Sequence, residues 1–157
     1  CMESALRHRK KILIAGNGGS AAHAQHFAAE LVGTFKRKRP ALPVIALTTD
    51  TSVLTAVSND MGFESVFQRQ IEAHGRAGDV FVGITTSGNS PNIIAAVGEA
   101  RRRRLKTICL LGRDGGRVKG LAHYDIVVSA ATTPFVQDGH QWIIHSWCDA
   151  LDRMFAE

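Results

Sequence analysis

The spacing of His26 and Glu30 suits proton transfer or metal binding. The two residues are four apart, which places an imidazole and a carboxylate on one face of a helix. From that face both side chains can contact one metal ion, or they can pair with each other. An ordinary surface or half-buried pair has the same spacing, so the motif alone leaves these alternatives open.

A second group of polar residues lies in an apolar stretch near the C-terminus. Four of its side chains can carry protons or bind metals: Gln137, Asp138, His140 and His145. Imidazole is the commonest metal ligand and transfers protons readily near neutral pH. A histidine on a helix can also be a hydrogen-bonded core residue, so the group supplies candidates without assigning roles.

Two loops of small residues are candidates for anion binding. Residues 16–20, Gly-Asn-Gly-Gly-Ser, join a predicted strand to a helix start, where glycine permits close backbone approach and free N–H groups face a ligand. Residues 85–90 bring four hydroxyls, without a Lys or Arg, to a second helix start, which suits a monophosphate. Residues 16–20 match neither the dinucleotide fingerprint nor Walker A, and a tight turn and a Ser/Thr-rich cap are the plain alternatives. Together the two loops favour phosphate binding.

Alternating apolar runs and helical stretches predict the elements that position these residues. Strands are predicted at 11–15, 44–47, 79–84, 107–111 and 125–129. Helices are predicted at 20–32 with Ser20 as N-cap, and at 51–58, 63–74, 91–104 and 137–155, with a breaker-rich joint at 59–62. Such alternation is typical of a mostly parallel sheet covered on both faces. We therefore expect an α/β fold, a three-layer αβα sandwich with five strands.

Ligands of such sheets bind beyond the carboxyl ends of the strands. Three polar loops follow predicted strands, at 16–20, 48–52 and 85–90. The site is expected at these loops.

Composition limits the class of protein. The 157 residues, 45% hydrophobic and 21% charged, fit one domain with a real core rather than a disordered chain. No apolar run reaches 18 residues, and the first residues are too polar for a signal peptide. Three widely spaced cysteines favour a reducing, cytoplasmic setting over a disulfide scaffold. We expect no membrane association.

The net charge of +5 comes largely from two basic runs, at 36–39 and 101–104. We interpret both runs as solvated helix ends and loops. No aromatic stacking surface accompanies them, so nucleic acid is not the expected partner, and an anionic metabolite accounts for the charge equally well.

Five stretches together carry a family resemblance: GNGGSAAHAQHFAAEL, TTDTSVLTAVSNDMGFESVFQRQ, GDVFVGITTSGNSPN, LLGRDGG and VQDGHQWIIH. They closely resemble the sugar isomerase (SIS) domain family and, within it, the phosphoheptose isomerases. The resemblance runs from about Lys11 to the C-terminus. It implies a single SIS domain over 1–157 with flavodoxin-like, nucleotide-binding-type topology, and an N-terminal helical segment shorter than is general in the family.

The resemblance also implies an activity. Family members convert D-sedoheptulose 7-phosphate to D-glycero-D-manno-heptose 7-phosphate through an enediol, for heptose in lipopolysaccharide or surface glycans. They bind zinc, one ion per subunit, and form homotetramers with active sites at subunit interfaces. Glu30 would be the catalytic base and His145 the acid.

Further site residues are carried over on the matching positions. The implied zinc ligands are His26, Glu30, Gln137 and His145. The implied substrate contacts are Asn17, Gly18, Gly19, Ser20, Glu30, Asn59, Asp60, Thr85, Thr86, Ser87, Ser90 and Gln137. The family usually has Asp at the position of His23 and Arg at that of Thr34, and Lys36 is a candidate replacement for that Arg. His23 is a candidate extra ligand.

The ligand set carries a geometric condition. Gln137 and His145 are eight residues apart, about 12 Å along a continuous helix. Both can reach one ion only if Gln137 lies on an unwound helix start or if the ligands come from different subunits. Either arrangement implies a site that is incomplete in a monomer.

Two other functions stay open at this stage. A related SIS branch associates with a replication initiator and lacks isomerase chemistry, and its members lack the residues that match Glu30 and His145. A sugar-phosphate sensor or an amino-sugar isomerase is the third alternative. The presence of both Glu30 and His145 favours the enzyme.

Overall fold

The computed structural model describes residues 1–156, and within them five strands alternate with six helices. The elements are α1 (Met2–Arg7), β1 (Ile12–Gly16), α2 (Gly19–Val32), β2 (Val44–Ala46), α3 (Thr51–Met61), α4 (Val66–His74), β3 (Val80–Thr85), α5 (Pro91–Arg102), β4 (Lys106–Gly112), β5 (Tyr124–Val128) and α6 (Thr133–Phe155). Each predicted strand is present with its ends within one residue of the expected bounds. Helix α1 was not predicted.

The five strands form one parallel sheet in the order β2-β1-β3-β4-β5. This is the flavodoxin-like order, in which the strand order reverses between β1 and β3. In the register of that pair, Gly16 lies opposite Ile84, so the loops after β1 and β3 leave the sheet side by side. The predicted fold class is confirmed.

Two helical layers cover the sheet because successive strand residues point to opposite faces. Ile12 and Ile14 of β1 pack with α1, α2 and α6, whereas Leu13 and Ala15 pack with α4 and α5. All five residues of β1 are buried, as expected for a central parallel strand. No helix within residues 1–156 combines the length and apolarity that crossing a membrane requires.

Five predicted helix boundaries are wrong. Helix α4 begins at Val66, after a short 3-10 helix at Phe63–Ser65, and α5 ends at Arg102. The other three errors each have a local cause. Helix α3 continues through residues 59–61 and ends only at Gly62, whose φ of 87° stops it. Helix α2 begins at Gly19 with Gly18 (φ 54°) as its N-cap, so Ser20 lies inside the helix and is buried. Helix α6 begins at Thr133, with a proline in its first turn. Gln137 therefore lies within a regular helix.

Candidate active site

The two predicted phosphate loops lie together at the point where the strand order reverses. The carboxamides of Asn17 and Asn92 form two reciprocal hydrogen bonds, each 2.9 Å, between residues 75 positions apart. Asn17 follows β1 and Asn92 lies in the first turn of α5. The amide of Asn17, a predicted substrate contact, is thus engaged in joining the loops.

The loop after β3 is organised by its own hydroxyls. The Thr85 hydroxyl lies 2.9 Å from that of Ser90 and 3.4 Å from that of Ser87. The Ser87 hydroxyl also accepts a hydrogen bond of 3.1 Å from the Asn89 backbone N–H. Ser90 is the N-cap residue of α5, yet its side chain caps no backbone N–H group. The predicted hydroxyl cluster therefore stands at a helix N-terminus, where an anion is favoured.

A neighbouring loop packs closely against these hydroxyls. Gly88 has a φ of 66°, and a Cβ there would collide with the carbonyl oxygen of Gly115. The Val118 N–H donates to the Gly88 carbonyl at 2.9 Å. At Gly112 a Cβ would collide with the Thr86 carbonyl oxygen. Backbone-to-backbone packing therefore sets the shape of this loop.

Gln137 lies beside the first of these loops. A Cβ at Gly19 would collide with the Gln137 carboxamide, so the two residues are in contact at the start of α2. This position suits the predicted substrate contact. Because α6 is regular from Thr133 onward, the unwound helix start that would let Gln137 and His145 of one chain share an ion is absent from this structure.

The acid–base residues meet elsewhere, on the paired helices α2 and α6. His26 Nε2 lies 3.0 Å from Glu30 Oε1, and the rings of His26 and His145 stand edge to face with centroids 5.1 Å apart. Phe35 also stacks on His145, with centroids 5.9 Å apart. The sequence predicted that His26, Glu30 and His145 act together, and the structure brings these three residues into one cluster.

The backbone of α2 at Glu30 is held by an arginine from a buried ion pair, which the sequence analysis did not predict. Arg39 donates to Asp152 at 2.9 Å, and neither side chain is exposed. The same guanidinium donates to the backbone carbonyls of Glu30 at 2.7 Å and Leu31 at 2.8 Å. The expectation that residues 36–39 form a solvated run is therefore wrong for Arg39, because the last carbonyls of α2 need donors.

Burial disfavours the charged form of two histidines next to this cluster. Burial lowers the pKa of His23, and the nearby His26 lowers it further while Asp138 opposes the shift. Burial also lowers the pKa of His140, whose Nε2 lies 3.0 Å from the Leu111 carbonyl. The Nδ1 atoms of both His23 and His140 are buried without a hydrogen-bond partner in the described chain. Burial therefore favours the neutral form of both side chains.

Two predicted substrate contacts lie on helix α3 rather than on the loops. Asn59 and Asp60 lie on the exposed last turn of α3, where the Asn59 amide donates to the Asp60 carboxylate at 2.8 Å. The hydrogen bonds described for residues 1–156 connect neither of them with residues 85–90, which we call the hydroxyl loop. Their role stays a prediction.

The donor atoms of the predicted ligands suit zinc, but their positions in this structure do not form a zinc site. Imidazole nitrogen and carboxylate oxygen are donors that zinc accepts. Yet among residues 1–156 no three His, Cys, Asp or Glu side chains are arranged to hold a metal ion. His26 faces Glu30, while His145 faces the amide of Gln141 at 2.8 Å.

Some functional neighbours carried a sequence signal and others carried none. Gln141 precedes His145 by four residues, the same spacing that singled out His26 and Glu30, so the helix periodicity could have identified it. Phe35 and Arg39 come from the irregular segment between α2 and β2. No periodicity applies there, and only the tertiary structure reveals their contacts.

Comparison with known proteins relates the chain to one family. The family model of the SIS domain matches residues 1–112. A phosphoheptose isomerase of Geobacter sp. (strain M21) is 56% identical over 149 residues, which cover 95% of this chain and 78% of that protein. A phosphoheptose isomerase of a Nitratiruptor species is 55% identical over 155 residues, which cover 99% of this chain and 82% of that protein.

Solved structures give the same result. Phosphoheptose isomerase GmhA from Neisseria gonorrhoeae superposes with a TM-score of 0.89 at 49% identity, and a phosphoheptose isomerase from Francisella tularensis with 0.94 at 39% identity. Each comparison covers 97% of this chain and 81% of the other. The chain therefore belongs to the SIS domain family and, within it, to the phosphoheptose isomerases.

Proposed function

We propose that this chain interconverts D-sedoheptulose 7-phosphate and D-glycero-D-manno-heptose 7-phosphate. The observation that carries the proposal is that Glu30 and His145 both contact His26, which gathers a carboxylate and an imidazole into one cluster. In the same chain, the two loops predicted to bind phosphate lie where the strand order of the sheet reverses. The product, an aldoheptose phosphate, is suited to supply heptose for lipopolysaccharide or surface glycans. The high identity to named phosphoheptose isomerases supports this function over the replication-initiator-associating alternative.

Glu30 and His145 divide the proton transfers. Glu30 removes a proton from C1 of the ketose while His145 gives a proton to the oxygen on C2, which yields the enediol. Glu30 then returns a proton to C2 and His145 takes the proton from the oxygen on C1, which yields the aldose. The carbonyl contact of Arg39 holds the backbone at Glu30 in place during both steps.

The hydroxyl loop supplies the binding energy. Thr85, Ser87 and Ser90 offer hydroxyls at the N-terminus of α5, where the helix dipole favours the dianionic phosphate. Gln137 and Gly19 stand next to this position and are suited to the sugar hydroxyls. Binding of the remote phosphate holds the reacting carbons in place, which raises kcat.

The active site is proposed to lie between subunits of a homotetramer. Glu30 is eleven residues from Gly19, so it lies about 16 Å along α2 from the loop. A phosphate on the loop of one subunit would therefore reach Glu30 and His145 of a neighbour more readily than those of its own chain. Phe135 and Trp142, which are 65% and 73% exposed on α6, provide apolar surface for such contacts.

Zinc is proposed as the metal of this site. His26, Glu30 and His145 would hold it, and Gln137 would complete the set from a neighbouring subunit. When bound, zinc acts as a Lewis acid that polarises the substrate carbonyl. Metal analysis of the purified protein, together with its mass in solution, tests the ion and the tetramer: a zinc-free, fully active monomer would contradict both.

The activity itself is tested by incubating the zinc-supplemented protein with D-sedoheptulose 7-phosphate and following the aldose C1 proton by NMR. We expect the aldoheptose phosphate to accumulate to equilibrium. No turnover, combined with binding to a replication initiator, would overturn the proposal in favour of the non-catalytic branch.

A further inference from the structure

Asn17 and Asn92 connect the starts of two helices that lie on opposite faces of the sheet. The apolar residues of α2 pack in one core layer, and those of α5 pack in the other. Strand pairing aligns the ends of β1 and β3, but beyond these ends each backbone enters its own helix. Within the described chain, the two bonds between Asn17 and Asn92 are the only side-chain hydrogen bonds from residues 16–20 to residues 85–92. This amide pair is therefore the direct connection between the two loops.

The pair depends on an amide group in both residues. Each carboxamide donates one hydrogen bond and accepts one, so both bonds form only when each partner has a donor and an acceptor. Asn92 is 2% exposed and is therefore shielded from water that could replace a lost partner. Loss of the Asn92 amide thus leaves the Asn17 amide without its two hydrogen bonds.

On the first loop, the pair holds the backbone turn that begins α2. The Asn17 carbonyl accepts from the Ser20 N–H at 2.9 Å, and Gly18 is the N-cap of the helix with a φ of 54°. Gly19 follows and contacts the Gln137 carboxamide. A shift of the Asn17 side chain would therefore move the residues that are proposed to contact the sugar.

On the second loop, little freedom separates Asn92 from the hydroxyl loop. Pro91 lies between Asn92 and Ser90, and its ring fixes its own φ angle. The Ser90 hydroxyl in turn lies 2.9 Å from that of Thr85, at the end of β3. The position of the Asn92 carboxamide is thereby tied to the hydroxyls that are proposed to hold the phosphate.

We propose that Asn92 is a positioning residue of the isomerase, which acts through Asn17 to set the distance between the hydroxyl loop and the loop at residues 16–20. The substrate extends from one loop to the other, so their spacing places its reacting carbons while the phosphate is held. Displacement of one loop should therefore slow the reaction without weakening the binding of phosphate. This role rests on the proposed function, whereas the connection between the loops does not.

Asn92→Leu tests the role, because leucine is similar in size but forms neither hydrogen bond. We expect kcat of the zinc-supplemented variant for D-sedoheptulose 7-phosphate to fall about tenfold, since the reacting carbons are no longer held in place. The inhibition constant of inorganic phosphate, which probes the hydroxyl loop alone, should stay within about twofold of the wild-type value. Asn92→Ala removes the same bonds without added bulk and should give the same pattern.

Ile93→Val is the matched control. Ile93 is the next residue of α5 and is fully buried in the core, so the change lowers stability without removing a bond of the amide pair. Its kcat should stay within about twofold of the wild type, and urea unfolding checks that every variant is folded at the assay temperature. An unchanged kcat in Asn92→Leu and Asn92→Ala, or an equal fall in Ile93→Val, would overturn the proposal. An effect confined to the inhibition constant of phosphate would overturn it as well.

Hydrogen exchange measures the connection between the loops without any turnover. The Ser20 N–H, which donates to the Asn17 carbonyl, reports on the turn that begins α2. We expect its exchange, followed by NMR, to be about tenfold faster in Asn92→Leu and unchanged in Ile93→Val. Equal exchange rates in the wild type and Asn92→Leu would contradict the positioning role. If the wild type has no turnover, the proposed function fails, and the exchange of Ser20 still decides whether Asn92 holds the loop.

Discussion

The hydroxyl loop and the α2–α6 cluster obtain their geometry from different parts of the chain. In the loop, glycines at 88, 112 and 116 let one backbone segment lie directly on another. In the cluster, side chains on two regular helices meet through hydrogen bonds and ring contacts. The loop is therefore sensitive to added atoms, whereas the cluster is sensitive to changed functional groups.

Substitutions in the two regions should therefore have different effects. A Cβ added in the loop should disturb folding, because its neighbours are backbone atoms that cannot move aside. An isosteric change in the cluster should leave the fold intact and remove a proton-transfer step. Variants in the two regions therefore break the enzyme in distinguishable ways.

The largest effect is expected for Glu30→Gln. Loss of the base should lower kcat about 1,000-fold, because an amide cannot accept the C1 proton. Binding of the sugar phosphate, measured by calorimetry, should stay within about threefold, since an intact phosphate loop dominates affinity. Glu3→Gln, an exposed carboxylate in α1, is the control. Near-wild-type turnover by Glu30→Gln would rule out Glu30 as the base.

Gly88→Ala should be next in size and should act on stability. Its Cβ meets the Gly115 carbonyl at a φ of 66°, so we expect a loss of about 3 kcal/mol in the free energy of unfolding. Gly98→Ala in α5 is the matched control. Outside the adjoining backbone of its own helix, no atom of the described chain lies within 4 Å of its added Cβ, and the variant should gain about 0.5–1 kcal/mol in the free energy of unfolding. Urea unfolding compares the two variants. Equal free energies of unfolding would show that backbone contacts do not determine the shape of the loop.

Ser90→Ala should have the smallest effect and should act on binding. It removes one hydroxyl from the loop while α5 keeps its N-terminus, because the Ser90 side chain caps no backbone N–H. We expect KM to rise about tenfold, the cost of one hydrogen bond to a charged group, with kcat within about twofold. Ser4→Ala on the exposed face of α1 is the control. A fall in kcat alone would place Ser90 in the chemistry instead.

The sequence predicted the strands and the fold class because a central parallel strand such as β1 is an uninterrupted apolar run. It also predicted the meeting of His26 with Glu30, since helical periodicity places them on one face. The ends of helices were harder, because Gly62 and the proline after Thr133 act through backbone geometry rather than through hydrophobic pattern.

Contacts between residues far apart in the chain could not be predicted from the sequence alone. Arg39 lies in a run of four basic residues and looks solvated, yet it pairs with Asp152, which is 113 positions away. Likewise Asn17 and Asn92 join two loops through an amide pair that no local spacing encodes. Only the packing of α6 and α5 against the first βα unit makes these contacts.

Complementation between subunits tests most directly whether the two regions form one isomerase site. Glu30→Gln retains the hydroxyl loop, and a Ser87→Ala, Ser90→Ala double variant retains the acid–base cluster. The two are co-expressed, and mixing within the proposed tetramer is confirmed by native mass spectrometry. At a substrate concentration well below the raised KM of the double variant, the mixture should recover turnover of D-sedoheptulose 7-phosphate well above the sum of the separate variants. Mixed tetramers with activity no greater than that sum would contradict a site built from the loop of one subunit and the cluster of another.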